Sequence, residues 1–141
     1  MEPLDLSDLP EHALILLDSA PIIYVLEDHP RLAARFQPLF EEHARDRVRF
    51  AVTTITIAEV LTGPLGAGDE SLVRRYRGIF ESWHVVALDA EIAESAARMR
   101  AAFRLRLADA VQVASALAVN ADALVTHDRD FSRIRSLRVI S

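Results

Sequence analysis

The sequence predicts an α/β fold, a three-layer sandwich with a central, mostly parallel sheet of four to five short strands. Short apolar runs of four to six residues alternate along the chain with longer segments that have the apolar spacing of helices. This order is typical of a parallel sheet covered by helices on both faces. The chain has 141 residues, 51% of them hydrophobic, which suits one folded domain. We expect a single domain over residues 1–141, with residues 1–12 as an extended or poorly ordered N-terminal segment.

The predicted strands are apolar runs bounded by charged or turn-forming residues. The run ALILLD ends in an acid, and the run RFAVT ends in a threonine. Continuous apolar runs of this length are typical of strands that are buried on both faces of a sheet. The complete set of predicted strands is residues 13–18, 49–53, 84–88, 122–126 and 137–140.

The helices are predicted from apolar spacing together with start and stop residues. Proline in a first turn and aspartate at an N-cap both favour a helix start. Helices are expected to begin at or near Pro21, Pro30, Thr54, Asp69, Asp89 and Leu107. The third helix is expected to end before Gly63, because the run GPLGAG over residues 63–68 has the composition of a flexible loop.

Composition and charge exclude several functional classes. All sixteen basic residues are Arg, so the lysine that a Walker P-loop or a pyridoxal-phosphate site needs is absent. There is no cysteine, which excludes thiolate chemistry and disulfides. The N-terminus is acidic, and no run of 18 apolar residues occurs, so we expect a cytoplasmic protein that does not enter a membrane. The net charge of −5 at pH 7 means that a nucleic-acid ligand would need local arginines or metal ions to offset repulsion.

Three apolar segments each contain a single charged side chain, and in each segment it is an acid. These acids are Asp18, Glu59 and Asp109. A lone carboxylate in an apolar setting is costly unless something pairs with it. Taken singly, Asp18 and Asp109 have a structural explanation as N-caps or first-turn acids. Glu59 lies in the middle of its predicted helix, where capping does not explain it.

Taken together, the acids indicate a metal site. Asp18 and Asp128 each follow a predicted strand, so both belong to the carboxyl edge of the sheet, where α/β proteins bind ligands. Glu59 and Asp109 lie on helices whose apolar faces must cover that sheet. Carboxylates that converge in one cleft repel one another. A divalent cation removes this penalty, and Mg²⁺ and Mn²⁺ prefer oxygen ligands.

Four segments carry a family resemblance: LLDSAPIIYVLE, TTITIAEVLTG, LRLADAVQVASAL and LVTHDRDF. In order and spacing they resemble the four acidic motifs of PIN-domain ribonucleases, and most closely those of VapC-like toxins. The resemblance extends from Leu14 to about Phe131. One departure is Ala20, where many members carry a small polar residue.

The resemblance implies a Mg²⁺- or Mn²⁺-dependent endoribonuclease that cleaves tRNA, rRNA or other structured RNA. It also implies a toxin that pairs with a VapB-like antitoxin and forms a homodimer. The residues implied as catalytic and metal-binding are Asp18, Glu59, Asp109 and Asp128, and those implied to contact these ligands or the substrate are Ser19, Thr126 and Asp130. We expect Asp18 and Asp109 to be direct ligands. We expect Glu59 and Asp128 to act through water, to complete a second metal site or to orient the attacking water.

Two other functions stay open at this stage. The first is a PIN-like fold that serves only as a protein-binding module, for which loss of an acid would be the signature. The second is phosphotransfer at Asp18, which is disfavoured because the chain has no Lys and because Ala20 stands where the phosphatase pattern has a second Asp. Four arginines precede Asp109, and they either contact RNA phosphates or form a solvated face: Arg98, Arg100, Arg104 and Arg106.

Overall fold

A computed structural model of the chain describes residues 2–128, 131 and 134–141. The strands in these ranges are β1 (Ala13–Leu17), β2 (Val48–Thr53), β3 (His84–Val86), β4 (Ala123–Val125) and β5 (Val139–Ile140). The helices are α1 (Ser19–Leu26), α2 (Ala33–Ala44), α3 (Thr54–Gly66), α4 (Glu70–Glu81), α5 (Ala90–Phe103) and α6 (Leu107–Ala118). The strands form one parallel sheet in the order β3-β2-β1-β4-β5.

Strand β1 lies at the centre of the sheet and is buried on both faces. Ala13, Ile15 and Leu17 pack with helices α1 to α4 on one face. Leu14 and Leu16 pack with helices α5 and α6 on the other. This alternation follows the two-residue period of a strand. It confirms the predicted three-layer α/β sandwich, with every strand pair in the described ranges parallel.

The buried position of helix α6 explains why its sequence contains so few charged residues. Every residue from 110 to 116 is buried, because α6 lies between the sheet and α5. A helix that is covered on most of its surface reads as apolar all round rather than as amphipathic. A polar side chain within this stretch can therefore find partners only inside the protein.

The strand order places a crevice beside β1. The chain leaves β1 to build β2 and β3 on one side, and β4 later pairs with the other side of β1. Ligands bind at such a switch point, beyond the carboxyl ends of the strands. The ladder continues one residue past β1, since the backbone N–H of Asp18 donates to the carbonyl of Val125 at 2.9 Å.

The prediction of a flexible loop over residues 63–68 was wrong for its first four residues, because α3 continues to Gly66. Pro64 lies in the last turn, where the missing N–H costs one helical hydrogen bond, and its ring is buried. The turn is closed by the N–H of Ala67, which donates to the carbonyl of Gly63 at 3.0 Å. Gly68 then adopts a left-handed φ of 68°, which ends the helical path.

Other boundaries differ from the prediction by a few residues. Helix α2 begins three residues after Pro30, at Ala33, because a turn precedes it in which His29 Nδ1 accepts from the N–H of Leu32 at 3.0 Å. Strand β3 ends at Val86, two residues earlier than predicted. Asp89 caps α5 as predicted.

None of the helices in the described ranges is long and apolar enough to cross a membrane.

Candidate metal and phosphate site

A cleft opens at the carboxyl ends of β1 and β4, and the structure places all four predicted acids in its lining: Asp18, Glu59, Asp109 and Asp128. They come from four different elements, the ends of two strands and the helices α3 and α6. Ser19 and Thr126 line the same cleft. Asp130, the remaining predicted site residue, lies outside the described residues.

Asp18 is the most firmly held of these acids. Its Oδ1 accepts hydrogen bonds from the backbone N–H of Ser19 at 2.8 Å and from Nε2 of Gln112 at 2.9 Å. Its Oδ2 accepts from the hydroxyl of Thr126 at 2.8 Å. Asp18 is also the N-cap of α1, so the capping explanation and the site explanation both apply to it. Three donors fix the direction in which this carboxylate faces.

Asp109 and Asp128 share one cationic partner, Arg106. Its Nε lies 3.3 Å from Oδ2 of Asp109, and its Nη2 lies 2.9 Å from Oδ2 of Asp128. The Arg106 side chain is 75% exposed, whereas that of Asp109 is 13% exposed. Asp128 is oriented from its backbone as well, since its N–H donates to Oγ1 of Thr126 at 3.0 Å.

Burial and mutual repulsion raise two of the pKa values in the cleft. Burial raises the pKa of Asp109, and the charges of Asp128 and Asp18 raise it further, against the opposing effect of Arg106. Much of the Glu59 side chain is open to solvent, but its carboxyl group is partly desolvated. This desolvation raises the pKa of Glu59, the charges of Asp18 and Asp109 add to the increase, and a hydrogen bond from the Ser19 side chain opposes it. These shifts are the cost of bringing like charges together.

The donor set and the electrostatics of the cleft fit a hard divalent cation. Carboxylate oxygens are the ligands that Mg²⁺ and Mn²⁺ prefer, and a cation among them would reverse the repulsion that raises these pKa values. Within the described ranges, no three Asp, Glu or His side chains are already gathered as a metal-binding group. Arg106 lies against two of the carboxylates, and a cation would have to compete with its guanidinium for their oxygens.

Gln112 is the residue of this site that the sequence analysis missed. In the apolar stretch of α6 a charged side chain is conspicuous, whereas an amide carries no charge. The available signal was a long polar side chain three residues after Asp109, one helical turn away on the same side. A buried amide in a mostly apolar helix requires buried partners, and two of those partners lie at the carboxyl edge of the sheet, Asp18 and Thr53.

The arginines before Asp109 separate into two groups. Arg98 pairs with Glu94 on the exposed face of α5 at 3.3 Å, and Nε of Arg100 donates to the carbonyl of Leu105 at 3.2 Å. Arg104 is the left-handed C-cap residue of α5. Arg106 lines the cleft. The solvated-face interpretation therefore fits Arg98, whereas Arg106 is the one of the four that lines the cleft.

Sequence comparison gives one family and no curated relative. The PIN domain family model matches residues 15–137 of the chain. Comparison with curated protein sequences gives no match.

Several solved structures have a similar fold. A toxin–antitoxin complex from Klebsiella pneumoniae aligns with a TM-score of 0.73 and 22% identity, over 90% of this chain and 96% of that one. VapBC-1 from nontypeable Haemophilus influenzae aligns with a TM-score of 0.70 and 23% identity, over 89% of this chain and 96% of that one. VapC20 from Mycobacterium tuberculosis, a toxin that cleaves the sarcin–ricin loop, aligns with a TM-score of 0.69 and 15% identity, over 84% of this chain and 92% of that one. At these identities the likeness establishes the fold.

The raised pKa of Asp109 leads to an expected effect of pH on stability. A folded-state pKa above the unfolded value means that the folded protein binds the proton more tightly, so the free energy of unfolding falls as pH rises through that pKa. Without divalent ions near pH 7, Asp109→Asn is expected to have a higher free energy of unfolding than wild type. The difference should shrink as the pH falls through the folded-state pKa. Urea denaturation near pH 7 and at a pH below the folded-state pKa of Asp109 measures this difference.

Asp5→Asn serves as the control. The pKa of Asp5 is lowered by hydrogen bonds from Ser7, so this substitution should give no gain in stability near pH 7. If Asp109→Asn were less stable than wild type near pH 7, the ion pair with Arg106 would outweigh burial and repulsion, contrary to the direction of the pKa shift.

Proposed function

Because the chain belongs to the PIN domain family, as its four acidic motifs predicted, we propose that it is an endoribonuclease that depends on Mg²⁺ or Mn²⁺. The observation that carries this proposal is a single cleft lined by four carboxylates from distant parts of the chain. Two of them have pKa values raised by burial and mutual repulsion. Carboxylates placed together in this way lower the stability of the fold in the absence of a cation, which suits a function that binds one.

The proposed roles follow from where each carboxylate lies. Asp18, fixed by three hydrogen bonds, and Asp109, in the first turn of α6, would hold the cation. When bound, the cation supplies a more acidic water and stabilises charge on the phosphate under attack. Glu59 is open to solvent and has a raised pKa, so its carboxylate is suited to orient the attacking water and to accept its proton. Asp128 would bind through water.

Arg106 would contact the substrate phosphate. Its guanidinium now lies on oxygens of Asp109 and Asp128, and a cation bound there would displace it by charge repulsion. The side chain is long, mostly exposed and anchored at the mouth of the cleft. A displaced guanidinium would remain beside the phosphate that the cation holds, and arginine pairs well with phosphate oxygens.

The proposal includes a biological setting. The structures that share the fold include toxin–antitoxin complexes, and we propose that this chain is a toxin of that kind, acting on RNA in the cytoplasm. We further propose that it forms a homodimer and is inhibited by a VapB-like antitoxin. Its substrate class would be structured RNA such as tRNA or rRNA.

Loss of either proposed direct ligand is expected to abolish cleavage. Asp18→Asn and Asp109→Asn should each lower the rate of Mg²⁺- or Mn²⁺-dependent cleavage of total RNA by about 100-fold or more, since even residues behind the ligands contribute about 10- to 100-fold in metal sites. Gel analysis of purified proteins with and without EDTA measures this. Equal cleavage by wild type and both variants would mean that the activity is a contaminant and that the site is wrong.

Arg106→Gln tests the phosphate contact. The variant is expected to bind a non-cleavable RNA more weakly in the presence of Mn²⁺, and the slope of log affinity against log salt should fall by about one. Arg98→Gln is the matched control, because Arg98 pairs only with Glu94 among the contacts described for it. An unchanged salt slope in Arg106→Gln would remove Arg106 from the phosphate site.

Expression in a bacterium tests the toxin assignment. Induction of the wild-type protein without an antitoxin is expected to arrest growth, and mapping of new RNA 5′ ends soon after induction should reveal a small set of cleavage positions. Asp18→Asn, expressed to the same level, should allow growth. Normal growth and intact RNA with verified wild-type expression would contradict a toxin role while leaving the nuclease assay to decide the chemistry.

A further inference from the structure

A buried amide behind the cleft donates a hydrogen bond to one of the acids that line it. Gln112 is 1% exposed and lies on α6, one turn after Asp109. Its Nε2 donates to Oδ1 of Asp18 at 2.9 Å and to Oγ1 of Thr56 at 2.5 Å. Its Oε1 accepts from the hydroxyl of Thr53 at 2.9 Å. Both amide hydrogens and the amide oxygen are therefore used.

The orientation of this amide is determined by its partners. An ionised carboxylate only accepts hydrogen bonds, so the NH₂ group must face Asp18. The amide oxygen then faces Thr53, whose hydroxyl hydrogen it receives. Thr53 Oγ1 in turn accepts from the backbone N–H of Thr56 at 3.1 Å, as the N-cap of α3. In this arrangement each of these hydrogen bonds is made, and a fully satisfied buried network is rigid.

The network joins the elements that carry three of the four acids. Asp18 follows β1, Gln112 is one turn from Asp109 on α6, and Thr56 is one turn before Glu59 on α3. A shift of α3 or α6 against β1 would break one of the hydrogen bonds to the amide. Since Oδ2 of Asp18 is held separately by Thr126, Gln112 sets the position of the Oδ1 side.

We propose that Gln112 is a positioning residue for the divalent cation. It fixes the direction of the Asp18 carboxylate and the register of α3 and α6, and so sets the geometry in which the acids receive the metal. This inference rests on the proposed function only in its metal dependence. Groups that orient metal ligands typically contribute about 10- to 100-fold to metal affinity.

The test compares Mn²⁺ affinity among folded proteins, read from the electron paramagnetic resonance signal of free Mn²⁺. Gln112→Met keeps the length of the side chain but removes its hydrogen bonds, and Gln112→Asn keeps the amide but withdraws it from Asp18. Ser115→Ala is the matched control, because Ser115 lies on the same helix, is also 1% exposed and has a hydroxyl with no hydrogen-bond partner in the described structure. Circular dichroism verifies that each protein is folded.

We expect the Mn²⁺ dissociation constant to rise about ten-fold or more in whichever Gln112 variant folds, and to stay within about two-fold in Ser115→Ala. Wild-type affinity in a folded Gln112 variant, when Asp18→Asn has lost binding, would overturn the inference, and so would a loss of folding in both variants, which would make the residue structural. Wild-type protein that binds Mn²⁺ tightly but cleaves no RNA would refute the proposed function alone. Wild-type protein that binds no Mn²⁺ would refute both.

Discussion

The site depends on the pairing of β1 with β4. This pairing brings Asp18 beside the segment that follows Val125, and the backbone bond from Asp18 to Val125 extends the ladder to the point where the cleft begins. Thr126 then donates to one oxygen of Asp18 and orients the backbone of Asp128 through the same hydroxyl. Two acids that are 110 positions apart in sequence are thus placed by a single strand contact, and the helices supply the other two.

Like charges in one cleft oppose folding, and in this structure an exposed arginine side chain partly offsets their repulsion. Arg106 lies on Asp109 and Asp128 from the outside, with three quarters of its side chain exposed. Because the guanidinium is already mostly exposed, a divalent ion that took its place on these carboxylates would return it to water at little cost. The raised pKa of Asp109, despite the adjacent guanidinium, indicates that burial and the other carboxylates outweigh this compensation.

Sequence reasoning predicted the acids better than it predicted the residues that hold them. Asp18 and Asp128 were found because acids that follow buried strands share an edge of a parallel sheet, and Glu59 because a charge inside an apolar helix has no structural explanation. Gln112 was missed because its role depends on the partners that its amide meets. Those partners come together only when α3, α6 and β1 are packed against one another. The extension of α3 through Pro64 was missed for a similar reason, since burial of the ring and the closing hydrogen bond are properties of the fold.

The difference between Arg106 and Gln112 has a physical basis in their burial. A cation buried where Gln112 lies would neutralise Asp18 and could not withdraw, because desolvation makes an unpaired buried charge costly. A neutral amide avoids this: it donates to the carboxylate, satisfies its oxygen on Thr53 and leaves the charge of Asp18 available to a metal. Arg106 is therefore charged, exposed and in a position from which a metal could displace it, whereas Gln112 is neutral, buried and fixed.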